Sequence, residues 1–292
     1  MKSIATINFK GGVGKTTTTW CLGETISQIP SKKSLIFDLD AQMSLTQAIT
    51  VNEDGKPFRK FDEWLNKCIE HKKTIFHALE AFTLPNSKFD FPIGYDFIYK
   101  ISEQYHFVPS IEDLYWTELE VFDRDSVKDF IRRLLGKIEN SKGIEKYDVV
   151  LFDCPPSFSL LSYSVLSCCD LVLIPINPDF YATKGLNLLL NSLRMRIEPH
   201  PVPKIAVFMN KGKSPGGSSS NRFSYETQRY LDDAKEVVNS AIINQGLKAK
   251  VFNTVIFERV GMKRAVQEGI PPLFKKEFIN LWQEIEGFLN EG

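Results

Sequence analysis

The chain has 292 residues, 43% of them hydrophobic, and its 36 basic side chains balance 36 acidic ones. This length and composition favour one large α/β domain over residues 1–292, and the zero net charge gives no overall field that would attract nucleic acid. The sequence contains no apolar run of about 18 residues, as a membrane-spanning helix would need, and no signal-peptide pattern precedes the first strand, so we expect a cytoplasmic protein.

Short apolar runs alternate with helical patterns along the chain. The predicted strands are residues 4–9, 34–37, 149–152, 171–176 and 205–209. The predicted helices are residues 15–29, 126–139, 184–195 and 273–289. This alternation predicts an α/β fold with a doubly wound, mainly parallel sheet, helices on both faces, and ligand sites at the carboxyl ends of the strands. A charged, irregular stretch at 52–73 is interpreted as an insertion into the single domain.

The segment after the first predicted strand reads Lys-Gly-Gly-Val-Gly-Lys-Thr-Thr. A glycine loop between a strand and a helix aims backbone N–H groups at phosphate. The candidate ATP-binding residues are Gly11, Gly12, Val13, Gly14, Lys15, Thr16 and Thr17. Phe9 stands where the usual phosphate loop has a glycine, and a second lysine, Lys10, lies at the mouth of the loop.

Charge suggests a role for each polar residue near this loop. Lys15 should neutralise the β and γ phosphates of ATP, and the Thr16 hydroxyl should coordinate Mg²⁺. Asp153, at the end of an apolar strand, should hold a metal-bound water. Asp38 and Asp40 follow another strand, and one of them should order a water on the metal while the other orders the attacking water. The sequence leaves that assignment open, and capping of the next helix is an alternative role for both.

Four stretches together resemble the ParA/MinD family of deviant Walker-type ATPases. They are the two-lysine loop, DLDAQ at 38–42, FVPSIEDL at 107–114 and YDVVLFDCPPS at 147–157. An alanine stands at position 41, where a proline is more usual in that family. The resemblance implies a P-loop NTPase-like fold that binds ATP and Mg²⁺ and hydrolyses ATP slowly.

The resemblance also implies partners and individual roles. Lys10 would reach into the nucleotide of a second subunit and act with Asp38 and Asp40 in catalysis, so that ATP joins two chains into a homodimer. Asn210 lies where the family contacts adenine, and a turn-forming asparagine is the alternative. A small adaptor or a ParB-like protein would stimulate hydrolysis.

A locally basic stretch at 248–276 is the candidate DNA-binding surface, with seven basic residues against two acidic ones, or +5. Arg259 contributes to this charge. The candidate DNA contacts are Lys248, Lys250, Lys263, Arg264, Lys275 and Lys276. A solvated charged face is the alternative. The family resemblance favours a nucleoid-associated ATPase that moves a plasmid, a chromosome origin or a protein assembly such as a carboxysome through non-specific DNA binding.

Two other classes stay open. A MinD-like division regulator would use the amphipathic segment 273–289 as a membrane anchor, but its polar positions include Glu277, Glu284 and Glu286, which favours packing against the domain. A metal-cluster carrier or an ATP-coupled enzyme would share the loop. The five cysteines show no paired metal-binding spacing and are interpreted as reduced thiols.

Overall fold

The computed structural model describes residues 1–50, 61–83, 97–120, 125–140, 145–197, 200–214, 223–259 and 272–291. The strands in this part of the chain are β1 (Lys2–Thr6), β2 (Ser34–Asp38), β3 (Tyr99–Lys100), β4 (Tyr105–Val108), β5 (Val149–Asp153), β6 (Leu171–Ile176), β7 (Lys204–Gly212) and β8 (Ala249–Phe257). The helices are α1 (Lys15–Ser27), α2 (Ser44–Thr50), α3 (Phe61–Glu70), α4 (Ile75–Thr83), α5 (Leu114–Glu120), α6 (Asp125–Lys128), α7 (Phe130–Asn140), α8 (Leu160–Leu166), α9 (Ala182–Ile197), α10 (Tyr225–Gln245) and α11 (Pro272–Asn290).

The strands form one eight-stranded sheet in the order β3-β4-β2-β5-β1-β6-β7-β8. β3 is antiparallel to β4, and the other neighbouring pairs are parallel. β1 lies between β5 and β6, with β2 to β5 on one side of it and β6 to β8 on the other. The strand order therefore reverses at β1. The register places Asp153 beside both Thr6 of β1 and Asp38 of β2. Three strands therefore bring their carboxyl ends, and the residues that follow them, to one place.

Helices cover both faces of the sheet, which confirms the predicted doubly wound fold. On one face α1, α2 and α11 bury side chains such as Trp20, Leu45 and Trp282. On the other face α7, α8, α9 and α10 bury side chains such as Phe130 and Leu189. Each large apolar side chain buried in this way stabilises the fold by roughly 1.5–3 kcal/mol. The strand ends are thus held between two packed layers.

The terminal helix α11 packs against the sheet, as its acidic polar face predicted. Its buried side chains are Phe278, Leu281, Trp282, Ile285, Phe288 and Leu289. Glu284 accepts hydrogen bonds from the backbone N–H groups of Asn253 and Thr254 on β8, at 2.9 Å and 2.8 Å. β8 is the edge strand, so this carboxylate covers backbone donors that the sheet leaves unpaired. In the part of the chain that the structure describes, the helices are too short or too polar to cross a membrane.

Several element boundaries differ from the sequence predictions. β1 ends at Thr6 rather than at residue 9, because Asn8 turns the chain: its amide donates to Pro175 O at 2.8 Å and accepts from Lys10 N at 2.9 Å. The predicted helix 126–139 is split into α6 and α7. The backbone N–H of Ile131 donates to the Ser164 hydroxyl at 3.0 Å, which explains the break.

Residues 61–70 of the predicted insertion 52–73 form the regular helix α3, which corrects the expectation of an irregular stretch. Trp64 of α3 packs against Tyr99 and Phe107, with ring centroids 5.3 Å and 6.2 Å away. This helix therefore covers the β3–β4 end of the sheet. Residues 52–60 lie outside the described residues, and the interpretation as an insertion stays a prediction.

Candidate functional site

The loop between β1 and α1 needs glycine at two positions. Gly12 has φ 72° and Gly14 has φ 91°, in the left-handed region that side-chain-bearing residues rarely adopt. A Cβ atom on Gly14 would also lie 2.2 Å from Nδ2 of Asn210. Gly14 is the N-cap of α1, and no side chain caps the helix there. The first-turn N–H groups of α1, including those of Lys15 and Thr16, therefore stay available to an anion.

Two side chains at the end of β7, those of Asn210 and Lys211, donate hydrogen bonds to the loop. Asn210 is buried, and its Nδ2 donates to Val13 O at 2.6 Å. The Lys211 ammonium donates to Gly12 O at 2.6 Å. Both side chains donate to carbonyl oxygens of the loop, so neither engages its N–H groups. The structure thus gives Asn210 a role in shaping the loop that the sequence did not reveal, while its contact with adenine stays a prediction.

Lys15 extends from the first turn of α1 and is buried. Its ammonium lies 3.5 Å from Lys10 O. Burial lowers the pKa of Lys15, and the negative charges of Asp153 and Asp40 oppose that shift. The Lys15 ammonium thus has acidic neighbours, but no carboxylate of the described residues is in direct contact with it. A phosphate bound here would supply the missing counter-charge.

Asp153 ends β5 directly beside the loop. Its Oδ2 accepts a hydrogen bond from the Thr16 hydroxyl at 2.7 Å, so the two predicted metal-site residues are in direct contact. Its Oδ1 is buried and has no hydrogen-bond partner among the described residues, and the same holds for the Thr6 hydroxyl beside it in the sheet register. Burial, and next the charge of Asp38, raise the pKa of Asp153 well above its ordinary value. A buried carboxylate oxygen without a donor is costly, and a metal-bound water would satisfy it.

These residues fit Mg²⁺ held mainly through water. Among the described residues, no three acidic, histidine or cysteine side chains converge on one metal position. The hydroxyl of Thr16 is an oxygen ligand of the kind Mg²⁺ prefers, and this ion usually keeps several of its waters. Asp153 and Asp38 can then accept hydrogen bonds from those waters rather than bind the ion directly.

Asp38 is the last residue of β2, completely buried, and both its oxygens are engaged. Oδ2 accepts from the backbone N–H and the hydroxyl of Thr46, at 2.8 Å and 2.7 Å, and Oδ1 accepts from Asp40 N at 3.1 Å. Burial raises the pKa of Asp38 to about 6, although the Thr46 and Asp40 hydrogen bonds lower it. The Thr46 hydroxyl also accepts from Ser110 N at 3.0 Å, which joins the strand ends of β2 and β4.

Asp40 has a more open environment. It is partly exposed, and its Oδ1 accepts from Gln42 N at 2.9 Å. Its Oδ2 makes no hydrogen bond with the part of the chain that the structure describes. Asp40 is close enough to raise the pKa of both Lys15 and Asp153 by its charge. The two candidate carboxylates thus differ: Asp38 is fixed by three hydrogen bonds, and Asp40 keeps one oxygen for a ligand or a water.

Lys10 is turned toward its own subunit. Its ammonium lies 2.5 Å from Oδ2 of Asp179, and the two side chains are 42% and 33% exposed. Asp179 follows β6, which neighbours β1 in the sheet. The sequence identified Lys10 as exceptional but gave no sign of this partner, which is 169 residues away along the chain.

The basic stretch 248–276 is less positive than its residue count suggests, which corrects that interpretation in part. Arg259 is paired with Glu277, and Lys250 lies 2.9 Å from Glu291, so acids just outside the counted range neutralise two cations. The exposed lysines Lys248 and Lys276 remain. Residues 260–271, with Lys263 and Arg264, and the side chain of Lys275 lie outside the described residues.

A parallel sheet with a glycine loop, a buried lysine and strand-end aspartates at its carboxyl edge defines a P-loop NTPase. A family model described as an AAA domain, AAA_31, matches residues 1–201, about two thirds of the chain, and the chain belongs to that family. Together with the relatives below, the match identifies a member of the ParA/MinD family.

The chromosome-partitioning ATPase Soj of Treponema pallidum is 26% identical over 270 residues, which cover 92% of this chain and 88% of that protein. Among solved structures, an ATP complex of McdA from Cyanothece aligns with TM-score 0.70 and 20% identity over 98% of this chain and 96% of that one. The pNOB8 ParA bound to non-specific DNA aligns with TM-score 0.66 and 21% identity over 98% and 99% of the two chains.

The fold also resembles that of an enzyme. Cobyrinic acid a,c-diamide synthase from Mycobacterium smegmatis, bound to an ATP analogue and magnesium, aligns with TM-score 0.61 and 19% identity over 97% of this chain and 96% of that one. At these identities the three structures show a shared fold, and the functional argument must come from the site.

Proposed function

We propose that this chain is an ATP-dependent dimerising switch, a slow ATPase that segregates or positions a cargo. The cargo would be a plasmid, a chromosome origin or a protein assembly such as a carboxysome. The observation that carries the proposal is the Asp153 carboxylate: its buried Oδ1 has no partner among the described residues, and its Oδ2 accepts from the hydroxyl of Thr16, next to the loop that holds Lys10 and Lys15. The resemblance to Soj and ParA supports the same function.

The loop binds the phosphates of ATP. N–H groups from Gly11 to Thr17 surround the phosphate oxygens, and the buried Lys15 ammonium supplies the positive charge that the β and γ phosphates need. Asn210 and Lys211 keep the loop in this shape by donating hydrogen bonds to its carbonyl oxygens. Asn210 is also our candidate contact for adenine.

The hydroxyl of Thr16 would hold Mg²⁺, and Asp153 and Asp38 would hold the waters around it. The ion supplies charge neutralisation at the phosphate oxygens when bound. Asp153 is a metal partner because its orphaned oxygen needs a donor. Asp38 is fixed by Thr46 and can orient a water only along the lone pairs that its three hydrogen bonds leave free.

We assign the attacking water to Asp40. This carboxylate is partly exposed, keeps Oδ2 free among the described residues, and is close to Lys15. Lys10 completes the reaction from the second subunit by stabilising the charge that develops on the phosphates, as an arginine finger does. ATP thus joins two copies of the chain, and hydrolysis separates them.

The dimer would bind DNA without sequence preference and associate with the nucleoid in the cytoplasm. The pNOB8 ParA bound to non-specific DNA supports this step. The contacts would come from the basic stretch, chiefly Lys248, Lys263, Arg264, Lys275 and Lys276, because Lys250 is paired with Glu291. A small adaptor or a ParB-like protein would stimulate hydrolysis and link the cycle to the cargo.

A MinD-like membrane-associated regulator is the second candidate. Its anchor would be α11, whose apolar side chains, from Phe278 to Leu289, are buried against the sheet. Glu284 also binds two backbone donors of β8. Releasing this helix to a membrane would expose both the apolar face and the edge strand, which argues against α11 as a membrane anchor. Flotation with anionic vesicles is the test that separates the two.

Two lysine substitutions test the proposal. Lys15→Ala should abolish ATP binding, because the loop then has only backbone donors for the phosphates. Lys10→Ala should still bind ATP but hydrolyse it poorly and dimerise weakly, because this lysine acts on the second subunit. Titration with fluorescent ATP and Mg²⁺, followed by sedimentation, measures both properties. Wild-type affinity in Lys15→Ala, or identical titrations for the two variants, would contradict the assigned roles.

A further inference from the structure

The contact between Lys10 and Asp179 lies inside one subunit, although the proposed function needs Lys10 in the other. Nζ of Lys10 and Oδ2 of Asp179 are 2.5 Å apart. The backbone of Lys10 is fixed as well, since its N–H donates to Asn8 and its carbonyl accepts from Lys15. Only the side chain of Lys10 is free to change its partner.

Asp179 is held in place by the start of α9. Its N–H donates to Asn177 O at 2.9 Å, and its carbonyl accepts from Ala182 N at 3.1 Å. Its Oδ1 accepts from Tyr181 N at 3.0 Å, which leaves Oδ2 for Lys10. The Asp179 carboxylate therefore accepts from the backbone just before α9 with Oδ1 and binds Lys10 with Oδ2.

The contact is also reachable from solvent. Phe180 and Tyr181, next to Asp179, are 63% and 67% exposed. Lys10 itself is 42% exposed, so its ammonium can leave Asp179 without passing through packed side chains. An exposed ion pair of this kind is weak enough to be exchanged for a phosphate of stronger charge.

We infer that Asp179 is a positioning residue that tethers Lys10 inside its own subunit and must release it before Lys10 can act on a second copy of the chain. The inference rests on the proposed function, and it adds a contact that opposes dimer formation. An exposed ion pair shifts an equilibrium by up to about five-fold. A symmetric dimer opens two such tethers, so together they weaken it by up to about 25-fold.

The test is Asp179→Asn in the full chain. Asparagine can still accept from Tyr181 N but carries no charge to hold Lys10. With ATP and Mg²⁺, sedimentation should show a dimer dissociation constant that is lower by about two-fold to 25-fold. ATP turnover at low protein concentration should rise with the dimer fraction. Asp179→Glu keeps the charge and should behave much more like the wild type.

Acylation of lysines in the nucleotide-free protein is the second readout. Lys10 should react more slowly than the exposed Lys248 in the wild type, and Asp179→Asn should remove most of that difference. Asp232→Asn is the matched control, because Asp232 is also an exposed aspartate that contacts a lysine, Lys235, at 3.4 Å. That variant should leave dimerisation and Lys10 labelling unchanged.

Each outcome has a distinct meaning. Equal or weaker dimerisation of Asp179→Asn, beside a wild type that dimerises with ATP, overturns the tether and leaves the proposed function intact. A change in Asp232→Asn as large as in Asp179→Asn would also overturn it, because the cause would then be general surface charge. A wild type that stays monomeric with ATP and Mg²⁺ would instead contradict the proposed function.

Discussion

Asp38→Asn should become more stable relative to the wild type as pH rises from about 5 to about 8. The quantity compared is the free energy of unfolding of the nucleotide-free variant minus that of the wild type. In the folded protein, burial raises the pKa of Asp38 to about 6, from an ordinary value of 3.8. The folded state therefore holds the proton more tightly than the unfolded state. The resulting stability is fully present below the ordinary pKa and is lost as pH rises through about 6.

The size of the effect follows from the shift. Each unit of pKa difference corresponds to about 1.4 kcal/mol, so the shift of about two units is worth about 3 kcal/mol in all. About half of this, roughly 1.4 kcal/mol, is lost between about pH 5 and about pH 8, because the unfolded carboxyl is already ionised at the lower limit. For a chain of 292 residues that corresponds to a change of about 2 °C in melting temperature.

Thermal unfolding of both proteins without nucleotide or Mg²⁺ measures the difference at each pH. Asparagine places an amide donor against either Thr46 or Asp40 N, and the cost of this mismatch does not depend on pH. The slope of the stability difference against pH is therefore the quantity to compare. Burial lowers the pKa of His77 and His106, which favours the folded state as pH rises, but this contribution is common to both proteins and cancels. A difference that is flat, or that falls with pH, would refute the reasoning.

The remaining predictions concern hydrolysis and DNA. Asp40→Ala should trap an ATP-bound dimer in sedimentation, because the attacking water loses its acceptor while the phosphate contacts persist. A variant that stays monomeric with ATP bound would contradict the proposal that ATP joins two copies of the chain. Charge reversal at Lys263 and Arg264 should weaken DNA binding on every sequence and flatten its salt dependence, without changing hydrolysis in the absence of DNA. Lys67→Glu, on α3 beside β3 and β4, is the control. Equal DNA affinity in all proteins would point to a membrane or protein surface instead.

The phosphate loop could be predicted because its parts are contiguous. Lys15 and Thr16 lie in one short segment, and the apolar run before them reports a strand whose end must face the ligand. Asp38 and Asp153 could be placed for a similar reason, since each ends an apolar run and parallel strands bring such ends together. The register of β2 and β5 puts these two residues side by side.

The contacts that tune the site could not be predicted, because they join distant parts of the chain. Lys211 reaches Gly12 over 199 residues, and Lys10 reaches Asp179 over 169. A lysine or an aspartate at a strand end has many possible partners, and only the packed sheet selects one. Thr46 is similar, because its position in α2 says nothing of Asp38 until the turn from β2 is known.

The charges around the loop also explain why cation and nucleotide should bind together. Asp38, Asp40 and Asp153 interact through their charges, and the buried Lys15 is the cation among them. These carboxylates would repel ATP that arrives without a counter-ion, and a divalent cation alone would leave the Lys15 ammonium without a phosphate. The two ligands complement opposite halves of the site, so their charges offset the desolvation that raises the pKa of Asp38 and of Asp153 and lowers that of Lys15. A site that is costly in the empty protein is thereby coupled to the nucleotide cycle that the proposed switch requires.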